Sequence, residues 1–193
     1  MNTCCPHNPS FNNLRSIGNQ MLTLTQAILK EYLHYNYLTG IFTWIKKPSQ
    51  KTNISDVVGC LSKKDHYIRI KFKGHLYLAH RLAWLYIYGV WPKTGLDHED
   101  TIGNHNWISN LREATKVQNS YNVGVSKRNT SGFAGVHPSR SGRKWHAVIR
   151  YNKKPRFLGS FNTPEEAAAQ YQLFAEKIHG EFLHESLKKD ILK

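Results

Sequence analysis

Four polar residues between positions 97 and 119 carry groups that could do chemistry together. Asp97 and His98 are adjacent, Asn110 lies thirteen positions after Asp97, and Asn119 lies twenty-two positions after it. Carboxylate and amide oxygens are the ligands that Mg²⁺ prefers. An imidazole, whose unperturbed pKa is about 6.5, accepts a proton near neutral pH. The set therefore suits a site that binds one hard cation and activates one water.

The stretch from Asp97 to Asn122 resembles the HNH nuclease motif in its His-Asn-Asn form. The resemblance extends to the flanking sequences Ala79-His-Arg-Leu-Ala-Trp84 and Asn110-Leu-Arg-Glu-Ala-Thr115. It implies a ββα-metal fold, in which Asp97 and His98 end a strand and Asn119 lies on a helix. The position of Asp100 is often acidic in the family, and the glycine that usually follows it is Thr101 in this chain.

Each residue of the motif has a role that the resemblance implies. Asp97 and Asn119 would bind the metal, His98 would be the general base, and Asn110 would tie the loop across the two strands. Many family members have histidine at the last position, so asparagine there favours Mg²⁺ or Mn²⁺ over softer metals.

The neighbouring polar residues allow more than one interpretation. His80 and Arg81 could lie near the phosphate and bind DNA, or they could be an ordinary helix residue and a surface residue. Asn104, His105 and Asn106 are expected to face solvent or DNA rather than take part in catalysis.

The composition favours a polyanion as the partner. Lys and Arg number 27 against 13 Asp and Glu, a net charge of +14, and 40% of the residues are hydrophobic, which is enough for real cores. The three cysteines form no zinc knuckle and fit a reducing compartment. No apolar run approaches the length of a membrane span. We therefore expect a cytoplasmic protein, in the cytosol of a bacterial or phage-infected host, with double-stranded DNA as partner, no membrane association and no obligate protein partner.

The N-terminal two thirds predict short elements around the motif. Residues 1–22 are expected to form a flexible arm and residues 23–122 the HNH nuclease domain. Periodicity and turn signals predict a helix over Thr23–His34 capped by Thr23, a hairpin over Tyr37–Trp44, short basic strands over Gly59–Gly74, and a largely buried helix over Leu78–Tyr88. The Thr115-x-x-Gln118 pattern predicts a capped helix from Lys116 that carries Asn119 in its first turn.

The C-terminal third predicts a second domain. Residues 123–132 read as a basic linker, and no acidic residue occurs between Ala114 and Pro164, where Lys and Arg number ten. Three strands and a helix follow over residues 133–183, and residues 184–193 form a tail. The helix is marked by Thr163 as cap, Pro164 at its first position, Glu166 as a second capping box, and Gly180 as its end.

This second part resembles the plant apetala or ethylene-response DNA-binding domain. The resemblance rests on Gly135-Val136, Trp145-His-Ala-Val-Ile-Arg150, Leu158-Gly-Ser-Phe161 and Glu165-Glu-Ala-Ala168 with Tyr171. It implies a three-stranded antiparallel sheet packed on one helix, with the open face of the sheet in the major groove of DNA. Ala134 and Pro155 replace residues that are basic in the plant pattern, so its base preference does not carry over.

Period-two alternation separates the two faces of this sheet. Trp145, Ala147, Ile149 and Tyr151 share the side expected to pack on the helix, which makes Trp145 a core residue. The other side and its flanks are predicted to bind DNA through Lys144, His146, Arg150, Arg140, Arg143, Lys154, Arg156 and Phe157.

Taken together, these patterns predict an α+β protein with two small domains: a metal-dependent HNH endonuclease, of phage or intron-associated homing type, and a sheet that places it on DNA. A non-catalytic DNA-binding regulator with an HNH-like scaffold is the main alternative, and an RNA-binding protein is a third.

Overall fold

A computed structural model describes residues 24–47, 50, 52–122, 124–125, 129–151 and 154–187. The predicted arm, the Thr23 cap and the end of the predicted tail lie outside these residues. The chain divides into two compact units: the first comprises the chain up to His98 with Ile102–Glu113, and the second comprises Glu99–Thr101 and the chain from Ala114 onward. Both combine helices with small sheets, so the fold class is α+β.

The described part of the first unit contains two helices, several short strands and one helical turn. In chain order they are α1 (Gln26–Tyr32), β1 (Leu33–Asn36), β2 (Ile41–Trp44), β3 (Val57–Val58), β4 (Cys60–Leu61), β5 (Ile68–Phe72), β6 (His75–Leu78), α2 (Ala79–Tyr88), β7 (Gly95–His98), a 3₁₀ turn (Ile108–Asn110) and β8 (Leu111–Ala114). The strands form three sheets, β1-β2-β3, β4-β5-β6 and β7-β8; the first two are antiparallel.

The first helix and hairpin differ from the prediction in where one ends and the other begins. The helix is capped by Thr25, whose hydroxyl accepts from the Ile28 amide at 3.3 Å, and it ends at Tyr32 rather than His34. Leu33 and Tyr35 are buried while their neighbours are exposed, which is the period of a strand. The predicted strand from Tyr37 is therefore wrong: the Asn36 side chain accepts two amides of the following turn, so the chain reverses there.

Helix α2 confirms the prediction in position but not in burial. It ends at Gly89, whose φ of 75° is the left-handed conformation that glycine favours, and the glycine amide donates to the Leu85 carbonyl. The first two turns are buried, whereas Ile87 and Tyr88 at the end of the helix are 38% and 52% exposed. The expectation that this helix is largely buried therefore holds only for its N-terminal part.

One hydrophobic core joins these elements of the first unit. Side chains from α1, β1, β2, β5 and α2 meet there, and the core residues with the least exposure are Leu29, Leu33, Phe42, Ile70, Leu82 and Ala83. Burying each of the leucine, isoleucine and phenylalanine side chains contributes about 1.5–3 kcal/mol, so the core is the main source of rigidity for the polar groups around it.

The second unit contains the short helix α3 (Lys116–Asn119), the strands β9 (Val136–Pro138), β10 (Trp145–Tyr151) and β11 (Lys154–Phe161), the helix α4 (Pro164–His179), and two 3₁₀ turns at Gly180–Phe182 and Glu185–Leu187. The strands form an antiparallel sheet in the order β11-β10-β9, with a bulge opposite Ala147 and Val148. Helix α4 packs on all three strands.

Helix α4 begins and ends where the sequence predicts. Thr163 caps it by accepting from the Glu166 amide at 3.2 Å, and Pro164 is its first residue. The second half of the predicted capping box is different, because the Glu166 carboxylate accepts from the Asn162 amide instead of Thr163. Ala167, Ala168 and Ala175 bury the face that lies on the sheet. The small side chains allow helix and sheet to approach closely.

Within the described residues, no helix has the length and apolarity needed to cross a membrane.

Candidate active site

The Asp-His pair lies at the end of β7, and both side chains are buried, each with 4% exposure. The guanidinium of Arg112 on β8 donates to Oδ2 of Asp97 from Nε at 3.0 Å and from one terminal nitrogen at 2.8 Å. Pairing of the two strands places these residues side by side. The carboxylate is therefore fixed in orientation by a charge-assisted pair.

The imidazole of His98 is held by an asparagine from the loop that follows. Its Nε2 lies 3.1 Å from Oδ1 of Asn106, whose side chain has 0% exposure. The expectation that Asn106 faces solvent or DNA is therefore wrong, while Asn104 is exposed and His105 half-buried. The residue pattern carries no signal for this contact, because an asparagine in a polar loop looks like any other.

Asn110 spans the same loop from its other end. Its side-chain amide donates to the His105 carbonyl at 2.8 Å, and the residue is 5% exposed. This bond joins the 3₁₀ turn before β8 to the loop that carries Asn106.

Two aromatic rings enclose His98. The His80 ring stands perpendicular to it at 5.1 Å between centroids, and the Tyr67 ring lies 5.2 Å from His80 and 5.8 Å from His98. Burial, followed by the proximity of His98 and Arg81, lowers the pKa of His80 to about 3. His80 is thus neutral at physiological pH and places no charge next to His98. Its Nδ1 is buried and has no partner among the described residues.

Arg81, the other residue predicted to lie near phosphate, is half-buried. Its guanidinium lies 5.8 Å from the centroid of the Trp91 ring, within the range of a cation–π contact.

Asn119 is the last residue of α3 in the second unit and is exposed. The predicted capping box is confirmed in both directions: the Thr115 hydroxyl accepts from the Gln118 amide at 3.2 Å, and the Gln118 side chain accepts from the Thr115 amide at 2.8 Å. The cap fixes where the helix begins and hence where Asn119 stands on it.

Asp97 is the carboxylate of the Asp-His pair, and its Oδ2 accepts from Arg112. Among the residues that the structure describes, no three His, Cys, Asp or Glu side chains gather into a metal-binding cluster. A cation with one carboxylate, one amide and several water ligands fits Mg²⁺ or Mn²⁺ better than a metal that needs several nitrogen or sulfur ligands.

The loop after the Asp-His pair contains a backbone conformation unusual for its residue. Thr101 has a φ of +64°, in the left-handed region that L-residues with branched side chains avoid. The glycine usual at this position in the HNH family would adopt it without strain. Thr101 therefore bears backbone strain that a glycine would not.

The predicted DNA-binding residues of the second unit divide between the two faces of its sheet. Ala147 and Ile149 are buried towards α4, so His146, Val148 and Arg150 point to the open face. Phe157 pairs with Val148 and is 58% exposed, and its ring meets His146 edge-on at 5.3 Å. We call the exposed side of the sheet that carries His146, Arg150 and Phe157 the open face.

The remaining predicted contacts flank the open face or lie off it. Lys144 is exposed and donates to the Asn162 side chain at 2.6 Å, and Arg140 and Arg143 are exposed between β9 and β10. Arg156 pairs with Ile149, on the side of α4, and its guanidinium lies 5.0 Å from the Phe174 ring. Lys154 is exposed at the start of β11.

The segment that contains the Asp-His pair is similar to a known protein family. A family model described as HNH endonuclease matches residues 77–121. Protein 3.8 of Escherichia phage T7 is 31% identical over 87 residues, which are 45% of this chain and 71% of that protein. No solved structure matches the chain. The chain therefore belongs to the same family as Protein 3.8 of phage T7, and it carries an HNH endonuclease domain.

Proposed function

We propose that this protein is a metal-dependent endonuclease that hydrolyses phosphodiester bonds in duplex DNA, of the phage or intron-associated homing type. The observation that carries the proposal is the buried Asp97-His98 pair, with His98 held by Asn106 inside the segment that matches the HNH endonuclease family. The phage relative supports the phage part of the proposal.

His98 is the general base in this proposal. Its ring is fixed by Asn106 and shielded by His80, and a neutral imidazole takes the proton of an attacking water near neutral pH. Asp97, oriented by Arg112, would hold the cation, and the family resemblance gives Asn119 on α3 as the second ligand, so that β7, β8 and α3 would be the ββα-metal unit. Bound Mg²⁺ or Mn²⁺ would neutralise charge on the scissile phosphate and on the departing oxygen.

The open face of the second unit is the proposed DNA-binding surface. Arg150 and His146 offer donors for base edges or phosphates, while Phe157 offers an exposed ring. Lys144, Arg140 and Arg143 extend the positive charge beside it. The net charge of +14 supplies the long-range attraction to a polyanion.

The test is incubation of supercoiled plasmid or phage DNA with the purified protein in Mg²⁺, Mn²⁺ or EDTA. We expect nicked or linear DNA with metal and intact DNA with EDTA. Asp97→Ala and His98→Ala should abolish cleavage, and His98→Ala should bind DNA with nearly wild-type affinity. His34→Ala, which removes an exposed histidine from β1 of the same unit, is the matched control and should cleave normally.

Two outcomes would redirect the proposal. Tight binding without cutting of any DNA in a broad panel would favour a non-catalytic DNA-binding regulator. Normal cutting by His98→Ala would remove His98 as the base. The RNA-binding alternative is tested by a binding competition between duplex DNA and structured RNA. Preferential binding of the duplex would exclude RNA as the preferred partner.

A further inference from the structure

The contact between Asn106 and His98 fixes which ring nitrogen of His98 carries the proton. Oδ1 of Asn106 is an amide oxygen and can only accept, so Nε2 of His98 must donate across the 3.1 Å separation. In a neutral imidazole the lone pair then lies on Nδ1. Nδ1 is thus the atom that can accept a proton from water.

Asn106 is itself held by a hairpin from the beginning of the unit. The hydroxyl of Tyr35 on β1 donates to the Asn106 carbonyl at 2.7 Å in a buried bond between residues 71 positions apart. The amide of Ile108 donates to the Tyr37 carbonyl at 3.3 Å. The β1–β2 hairpin therefore binds the loop at Asn106 itself and two residues after it.

The turn of the hairpin also touches the loop directly. Gly40 has a φ of +72°, and a Cβ at this position would lie 2.4 Å from both the Asn106 carbonyl carbon and the Trp107 nitrogen. No side chain fits there without displacing the backbone of the loop. The hairpin turn and the loop are packed backbone to backbone.

We propose that Asn106 is a positioning residue that fixes His98 in its Nε2–H form, and that the β1–β2 hairpin serves to hold Asn106 in place. This inference rests on the proposed function for its catalytic consequence. The β1–β2 hairpin lies outside residues 77–121, the segment that matches the HNH endonuclease family. The elements that support the active site therefore extend beyond that segment. The side-chain amide of Asn110 instead donates to the His105 carbonyl.

The kinetic test compares Asn106→Leu, Asn106→Asp and Tyr35→Phe in the full chain. Leu keeps the approximate volume of the side chain and removes the acceptor, and we expect kcat to fall about 100-fold with little change in KM. Asp restores an acceptor oxygen and should recover most of that loss. Tyr35→Phe should lower kcat about tenfold. Tyr37→Phe, which removes the hydroxyl of a residue in the turn of the same hairpin that is 57% exposed, should leave kcat unchanged.

The spectroscopic test reads the tautomer without any cleavage. In ¹⁵N-labelled protein without metal, with the His98 signals assigned by comparison with His98→Gln, we expect Nε2 protonated and Nδ1 unprotonated. Asn106→Leu should shift the ring towards a mixture of both forms. Thermal melts would identify a variant that does not fold. If Asn106→Leu does not fold, the tautomer of His98 in Tyr35→Phe, which deletes a single oxygen, is compared with that in the wild type instead.

Each result bears on the inference separately from the proposed nuclease activity. A wild-type protein that cuts no DNA would defeat the proposed function, while the tautomer measurement would still decide the role of Asn106. A wild-type His98 protonated on Nδ1, or wild-type kcat in folded Asn106→Leu, would overturn the inference. The Nε2–H form in the wild type, lost in Asn106→Leu and retained in Asn106→Asp, would establish it.

Discussion

Arg112 donates two hydrogen bonds to a single oxygen of Asp97, at 3.0 and 2.8 Å, and both side chains are largely removed from solvent. Arg112 lies on β8 and Asp97 on β7, so the contact joins the two strands of the candidate active site. The arginine gives the buried carboxylate a fixed orientation.

Removal of this arginine should cost stability as well as activity. Arg112→Ala leaves Asp97 buried without its ion-pair partner, so we expect the free energy of unfolding to fall by about 3 kcal/mol. Chemical denaturation measures it. The matched control is Arg69→Ala, which breaks the more exposed pair with Asp65 and should cost less than about 1 kcal/mol. Equal losses of unfolding free energy in the two variants would show that the buried Asp97–Arg112 pair contributes no more to stability than the more exposed pair.

The depressed pKa of His80 predicts a pH-dependent stability. The unfolded chain binds a proton at His80 below about pH 6.5, whereas the folded protein does so only below about pH 3, so stability is present above pH 6.5 and is lost as the pH falls between these values. Between pH 7 and pH 5, we expect the free energy of unfolding of the wild type to fall by about 2 kcal/mol more than that of His80→Phe. Denaturation at several pH values measures this difference. The free energy of unfolding of His34→Phe, which changes an exposed site, should depend on pH as that of the wild type does. The same pH dependence in His80→Phe would contradict the lowered pKa of His80.

The left-handed conformation of Thr101 predicts that glycine is the better residue there. Thr101→Gly removes the strain at a φ of +64° and should raise the free energy of unfolding by about 0.5–1 kcal/mol, after the greater flexibility of glycine in the unfolded chain is subtracted. Thr130→Gly, at an exposed bend without a positive φ, should be destabilising. A loss of stability in Thr101→Gly similar to that in Thr130→Gly would show that the loop is unstrained.

The open face of the sheet predicts a salt-dependent DNA contact at Arg150. Arg150→Ala should weaken DNA binding, reduce the slope of log K against log salt by about 1, and leave the metal requirement unchanged. Fluorescence anisotropy over a salt series measures both quantities. Lys177→Ala removes the same charge from the exposed side of α4 and should have a much smaller effect. Identical behaviour of the two variants would indicate that only net charge matters.

Local signals predicted the elements whose formation depends on near neighbours. The Thr115–Gln118 box and the Thr163 cap lie where the pattern puts them, because capping bonds join residues three positions apart. The alternation in β10 placed Ala147 and Ile149 in the core for the same reason. The extent of α1 was wrong, since Leu33 and Tyr35 join a strand whose pairing with β2 competes with the helix.

The sequence by itself determined the chemical groups of this protein, their order along the chain, and the short-range signals that begin and end its helices. Only the tertiary structure decided that Asn106 is buried against His98 and that Arg112 donates to Asp97. It also decided that the Tyr35 hydroxyl donates to a loop 71 residues away. These contacts result from packing between distant segments around one core. Local propensity does not predict these contacts, because they form and contribute to stability only when the whole unit is folded.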